Sequence, residues 1–238
     1  MKKIAVLTPT YSTEYSQDFI SGIYNYFLDK DVQVIIAQTK FPESKECIYD
    51  FQYWSSVSYL KSEAIDLIIV ISGVYCSTIS KDTYIDFLKS FTLKPIISAS
   101  IKIDLPNVYS LVIDTNDAYK KIVKHLVNEH NCKKIAYMAA NSTYSDEALQ
   151  RFEAFKSAME SEYCSFDSAL LYEGAFTKDI AEKEILDNVT KENLKFDSIV
   201  CANDDMAQGC IDAFKKLGIR VPEDVKVIGF DNSSLSYI

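Results

Sequence analysis

"SIVCANDDMAQGCIDAFKKLGIRVPEDVKVIGFDNSS", residues 198–234, is the stretch from which the fold is read. "SIVCAN" (198–203) starts as a short apolar run suited to a buried strand. Met206, Cys210, Phe214 and Leu217 then recur at helical spacing behind Asn203, Asp204 and Asp205. Asp205 and Gln208, three residues apart, suit a cap at the start of that helix, Gly218 suits its left-handed stop, and Pro222 lies just beyond. "VKVIGFD" (225–231) is a second apolar run. Strand, helix and strand in succession, with strands apolar throughout, are the unit of a parallel sheet covered on both faces.

The same unit recurs toward the N-terminus. Apolar, β-branched runs lie at 4–8, 32–37, 65–72, 94–100 and 108–114, and resume at 134–140 and 168–174. Helical stripes fall between most of them: Phe19, Ile23, Tyr26 and Phe27; Ala118, Ile122, His125 and Leu126; Ala148, Phe152, Phe155 and Met159. Nine strands are many for one doubly wound sheet, and "IDLPNVYSLVID" (103–114) joins two sets of units without a helix between them. The expectation is an α/β fold of two doubly wound parallel-sheet lobes, 1–107 and 108–238, with a crossover near 103–112 and a ligand cleft between the lobes.

Composition limits the function classes. Of 238 residues, 48% are hydrophobic, enough for a core in each lobe. Lys and Arg total 25 against 34 Asp and Glu, a net charge of −9, so most of this surface repels nucleic-acid phosphates. The six cysteines form no C-x-x-C pair and several sit in apolar runs; they read as reduced core thiols of a cytoplasmic protein. The apolar run after Lys2 and Lys3 stops at Leu7, too short for a signal-peptide core, and no window is long enough to span a membrane.

In open parallel sheets, ligands gather outside the carboxyl ends of strands, where loops and helix starts converge. Thr8 and Thr10, Asp114, Asn203 and Asp204, and Asp231 all fall at such ends. Each also has a plain structural role open to it: Asp114, Asp204 or Asp205 as a helix cap, Asn203 and Asp231 as turn residues. Arg151, one of two arginines beside 23 lysines, lies close to the apolar stripe of a helix expected from about Asp146 to Glu160. A planar guanidinium grips vicinal hydroxyls or a carboxylate in two places; the alternative is a snorkelling surface arginine. Tyr11, Tyr15 and Phe176 sit in loop-like segments, where an aromatic face stacks on a sugar or a base, or folds onto the core.

Catalytic signals are absent. No G-x-G-x-x-G, Walker loop or G-x-S-x-G occurs, and no nucleophile is paired with a base, so binding is preferred to catalysis and no cofactor is expected. His125 and His130 are five apart, about 140° around a helix, which makes them structural residues and not a metal pair.

The stretch 198–232 resembles the signature of the lactose- and galactose-repressor (LacI/GalR) family, whose effector domain has the type I periplasmic-binding-protein fold. "YSQDFISGIYNYF" (15–27) is similar to the first helix after the family's ligand loop, "VIDTNDAYKKIVKHLVNEHNCKKIAYMA" (112–139) to the entry into its second lobe, and "QRFEAF" (150–155) to its R-x-x-G-F. Ala154 stands in place of the glycine in that motif, and Asn131 where "H-G-C-K-K" has glycine. The resemblance implies a small-molecule effector, a sugar first, held between the lobes. Arg151 matches the bidentate arginine, Asp231 the acid after the last strand, Asn203 the amide of A-N-D, Asp114 the acid entering the second lobe and Phe176 the stacking aromatic. Thr10, Tyr11 and Tyr15 align more loosely with the first-lobe loop. A homodimer is implied, with DNA contacted only through a helix-turn-helix that this sequence does not contain, and with the C-terminal part cut short at Ile238. Domains of this kind that serve as input modules of signalling proteins, and solute-binding proteins that feed a transporter, are the alternatives.

Overall fold

Ala5 and Leu7 belong to one apolar cluster and Ile4 and Val6 to another, so β1 (Lys2–Thr8) is packed on both of its faces. The same alternation divides Ile68 and Val70 from Ile69 and Ile71 along and just after β3 (Leu67–Val70). Side chains of period two, all apolar, leave a strand no solvated face, and each aliphatic side chain removed from water contributes about 1.5–3 kcal/mol. The structure, a computed structural model, describes residues 1–39, 57–61, 64–76, 80–91, 94–140, 145–162 and 165–237.

Among those residues the first sheet has five parallel strands in the order β2-β1-β3-β4-β5, with β2 at Val32–Gln38, β4 at Ile96–Ala99 and β5 at Val108–Leu111. The helices described with it are α1 (Glu14–Phe27), α2 (Ser72–Cys76) and α3 (Lys81–Lys89). The second sheet has four parallel strands in the order β7-β6-β8-β9: β6 Ile135–Ala139, β7 Leu171–Glu173, β8 Ser198–Cys201 and β9 Lys226–Ile228. Its helices are α4 (Asn116–His130), α5 (Asp146–Ser161), α6 (Lys178–Asn188) and α7 (Asp204–Lys216). Each of the nine apolar runs of the sequence coincides in part or whole with a strand. The compact units are Met1–Ile113 and Asp114–Ile238, whereas the sequence reading divides the chain at 107/108. β5 hydrogen-bonds to β4, pairing Val108 with Ile96 and Leu111 with Ala99, and so stays with the first unit.

Several local expectations change. Asn203, not Asp205, caps α7: its Oδ1 accepts from the Met206 amide at 3.0 Å, and Gln208 donates instead to Asp212. Tyr15 lies in the first turn of α1 and not in a loop, because Thr13 caps that helix. Tyr26 is 65% exposed, and α1 buries Ser16 and Ile20. In α4 the buried stripe is Tyr119, Val123 and Leu126, leaving His125 exposed. The rings of His125 and His130 nevertheless meet, with their Nε2 atoms 3.1 Å apart. His130 is the last residue of α4, beside left-handed Asn131, so the regular 140° separation does not hold the rings apart. Among the described residues no group of three or more His, Cys, Asp or Glu is placed to hold a metal ion.

Other signals are realised as read. Gly218 has a φ of 68° just past α7, and Asn131, with φ of 54°, takes the left-handed cap that glycine takes elsewhere. Cys132, Cys201 and Cys210 are buried free thiols, the Sγ atoms of the last two 3.7 Å apart. Cys47, Cys164 and the side chain of Cys76 lie outside the described residues.

Candidate functional site

Arg151 organises the second unit's polar centre. Ser145 caps α5 by accepting from the Ala148 amide at 3.2 Å, which starts the helix so that Arg151 falls on its buried face with Ala148, Ala154 and Phe155. The arginine is only 7% exposed. Its Nη1 donates to the carbonyl of Ala202, just beyond β8. Its Nη2 donates to Glu147 Oε1 at 2.6 Å, one helical turn back, and lies 3.1 Å from Asp231 Oδ1. The guanidinium carbon is 4.5 Å from the centre of the Phe230 ring and 5.9 Å from that of Phe176, distances at which a delocalised cation is attracted to an aromatic face. Phe230 in turn stacks on Tyr119 at 5.3 Å. Arg151 Nε is buried and has no hydrogen-bond partner among the described residues.

Asp231 follows β9 with a φ of 101°, and Asn232 continues at 57°, two consecutive non-glycine residues in left-handed backbone. Burial pushes the Asp231 carboxyl up to about 6; Arg151 opposes that rise, and the charges of Glu147 and Asp204 add to it. The side chain is 39% exposed, so water tempers the shift. Asp204 fastens the turn from the other side by accepting from the Ser233 amide at 2.7 Å. Gly229 is required by this approach, since a Cβ there would come within 2.1 Å of Asp204 Oδ1.

Asn203 is buried, with both ends of its amide engaged. Its Oδ1 caps α7, and its Nδ2 donates at 3.1 Å to the carbonyl of Phe176. That bond holds Ala175 and Phe176 in left-handed backbone, with φ of 49° and 60°. Asn203 therefore positions the Phe176 backbone and starts α7 with the same amide group. Asp114 is exposed and accepts from the Asn116 amide at 2.9 Å and from Asn116 Nδ2 at 2.7 Å, bonds that hold its carboxyl below the usual range. Its described bonds start α4 and do not join it to the Arg151 group.

The first unit presents hydroxyls at its strand ends. Thr8 Oγ1 donates to the Thr10 carbonyl at 2.8 Å and lies 3.3 Å from Ser16 Oγ. Thr10 Oγ1 meets Ser12 Oγ at 2.7 Å, and the Tyr15 hydroxyl meets Ser100 Oγ, just after β4, at 2.8 Å. Tyr11 packs on the cluster of Ile4 and Val6, and burial raises its hydroxyl. Behind them, Ser72 Oγ bonds to Ser98 Oγ at 2.7 Å and to the Tyr84 hydroxyl, and Thr39 bonds to the Tyr75 hydroxyl.

Sequence reasoning had missed two contributors. Glu147 was recoverable, since a glutamate four residues before an arginine on one helix faces it. Phe230 was read only as part of a strand, and nothing in its spacing marks it as a platform for Arg151.

Two parallel α/β units with polar groups at their strand ends define the class, a periplasmic-binding-protein-like fold. Residues 123–238 match a periplasmic binding protein-like domain family. The transcription regulator CcpA of Lactococcus lactis superposes with a TM-score of 0.78 at 20% identity, over 100% of this chain and 81% of that one. The complex of the regulator CelR with cellobiose superposes with a TM-score of 0.78 at 17% identity, over 98% and 68%. In sequence, the chain is 26% identical over 231 residues to the HTH-type transcriptional repressor PurR of Mannheimia succiniciproducens, covering 97% of this chain and 65% of that protein. The chain thus has the periplasmic-binding-protein-like fold, and over its length it is similar to the effector-binding part of LacI/PurR-type transcriptional regulators. It spans 56% to 65% of the length of several curated relatives it matches. Among the described residues no helix is long and apolar enough to cross a membrane.

Proposed function

We propose that the chain is the sensor of a cytoplasmic LacI-type transcriptional regulator, binding a sugar or related polyol and closing its two lobes on it. The observation that carries this reading is the Arg151 fork, buried yet set between Glu147, Asp231, Phe176 and Phe230 at the strand ends. Hydroxyls offer donors to carboxylates and acceptors to a guanidinium, and the C–H face of a sugar ring suits Phe176. On this reading Asp114, Thr10, Tyr11 and Tyr15 contribute further hydrogen bonds and contact area. Closure favours one conformational state, and the change passes to a homodimer partner and to a helix-turn-helix segment that meets DNA. Cellobiose in the CelR complex is a precedent for the ligand class.

A thermal-shift screen with sugars, nucleosides and amino acids tests the reading. The expected result is a concentration-dependent rise in melting temperature with a sugar, lost in Arg151→Ala. An Arg151→Ala protein that kept the full response would remove Arg151 from the site, and a response confined to amino acids would exclude the sugar.

A further inference from the structure

We propose that Glu147 sets the charge selectivity of the Arg151 site, so that it takes uncharged or amine-bearing effectors and rejects anionic ones. The inference rests on the reading of this centre as an effector site and deepens it. A lone buried arginine invites a phosphate or a carboxylate, because its paired N–H groups match two anionic oxygens. Here that fork is already occupied. One terminal nitrogen donates to the Ala202 carbonyl, and the other faces Glu147 at 2.6 Å and Asp231 at 3.1 Å. The charged groups that act on Asp231 are Arg151 and Glu147 from α5 and Asp204 from α7, one cation against two further carboxylates. With Asp231 ionised, the centre carries three negative charges and one positive.

An arriving anion must displace a carboxylate that is bonded to the guanidinium and then lie beside the displaced one. An uncharged hydroxyl meets no such repulsion: it donates to Glu147 or Asp231 without displacing either carboxylate from the guanidinium. An amine gains an ion pair directly. Glu147 is the deciding residue because it is 24% exposed, within reach of a ligand, and holds the shorter of the two carboxylate contacts with Arg151.

The test measures binding at pH 7.5 by calorimetry and thermal shift for inorganic phosphate, glucose, glucose 6-phosphate and glucosamine. The proteins are the wild type, Glu147→Gln and the double variant Glu147→Gln/Asp231→Asn, with circular dichroism to check folding. Wild type is expected to bind phosphate more weakly than the uncharged sugar, and each charge removed is expected to tighten phosphate by roughly tenfold, the size of one lost close charge pair. Phosphate or glucose 6-phosphate binding wild type as well as or better than the uncharged sugar overturns the inference. So does phosphate affinity that stays flat across folded variants. If no uncharged or amine-bearing compound binds while phosphate tightens along the series, the sugar reading fails and the charge selection stands. Should the double variant unfold, wild type and Glu147→Gln alone decide.

Discussion

The two units share a topology and differ in what they bury. Every buried polar side chain described in the first unit is a hydroxyl: Thr8, Ser16, Thr39, Ser72, Ser98 and Ser100. The second adds to the hydroxyls of Thr115, Ser145 and Ser198 a buried guanidinium, Arg151 of α5, and a buried amide, Asn203, just after β8. Hydroxyls donate and accept, so they satisfy one another both within a loop, as Thr10 and Ser12 do, and between elements, as Ser72 and Ser98 do, and the network holds no charge. A guanidinium has no acceptor capacity and needs carboxylates and carbonyls brought from several elements. Arg151 accordingly ties α5 to the segments after β8 and β9 through a charge, whereas the first unit joins its elements through neutral pairs such as Ser72–Ser98 and Tyr15–Ser100. One fold thus carries an uncharged rim in one unit and an electrostatically organised rim in the other.

The comparison breaks first at Arg151. Arg151→Ala leaves Glu147 and Asp231 without their cation, and truncating one partner of a buried charge pair costs about 3–5 kcal/mol. Because both carboxylates are partly exposed, the lower end, about 3 kcal/mol, is expected for the second unit, read as a lower denaturant midpoint. Hydrogen exchange resolves the units, and protection in β1 and β3 is expected to hold. A loss shared equally by both units would show that the charge cluster is not local to the second. Gly229→Ala comes next: its new Cβ meets Asp204 Oδ1, and overpacking of that kind costs about 1–3 kcal/mol. The expected signature is lost protection of the Ser233 amide together with a fall in effector affinity.

In the first unit the matching test is Ser72→Ala. It removes the hydroxyl that meets Ser98 and Tyr84, for about 1 kcal/mol, with no change in the pH dependence of stability. A cost near that of Arg151→Ala would erase the distinction between the units.

This contrast also explains what was legible beforehand. Strand existence and fold class follow from apolar runs alone, because a parallel strand packed on both faces reads as a continuous run, as "IAVL" does around Ala5 and Val6. Asp231 and Asn203 are legible because position after a strand is itself a sequence property, and Arg151 because a rare arginine lies close to the apolar stripe of a helix. Their division of labour was not legible. Whether Asn203 or Asp205 caps α7 depends on backbone dihedrals, and Asn203 wins because extended backbone at that residue, with φ of −152°, aims Oδ1 at the Met206 amide. His125 and His130 were separated by helical arithmetic that fails at a helix's last residue. The β4–β5 pairing that moves the unit boundary to 113/114 joins residues 12 apart and leaves no periodic trace.

The sharpest discriminator between the units is a titration, because among the described residues only the second contains a carboxyl that burial shifts upward. Asp231 ionises near 6 when folded, against an unperturbed value of 3.8. Between those values the folded state holds the proton more often than the unfolded one, so this group's contribution to stability falls as pH rises from about 4 to about 6, then levels off. Asp114 runs the other way: its carboxyl is held below the usual range, so its contribution is present above that range and fades on acidification through its lowered folded value. Melting temperatures of wild type and Asp231→Asn across pH 4 to 7 separate the two. The variant lacks the ionisation penalty, so its melting temperature relative to wild type is expected to climb across that window. A relative melting temperature that stays flat or falls would mean that Arg151 fully compensates the buried charge, making Asp231 a structural counter-ion with no proton to exchange in that range.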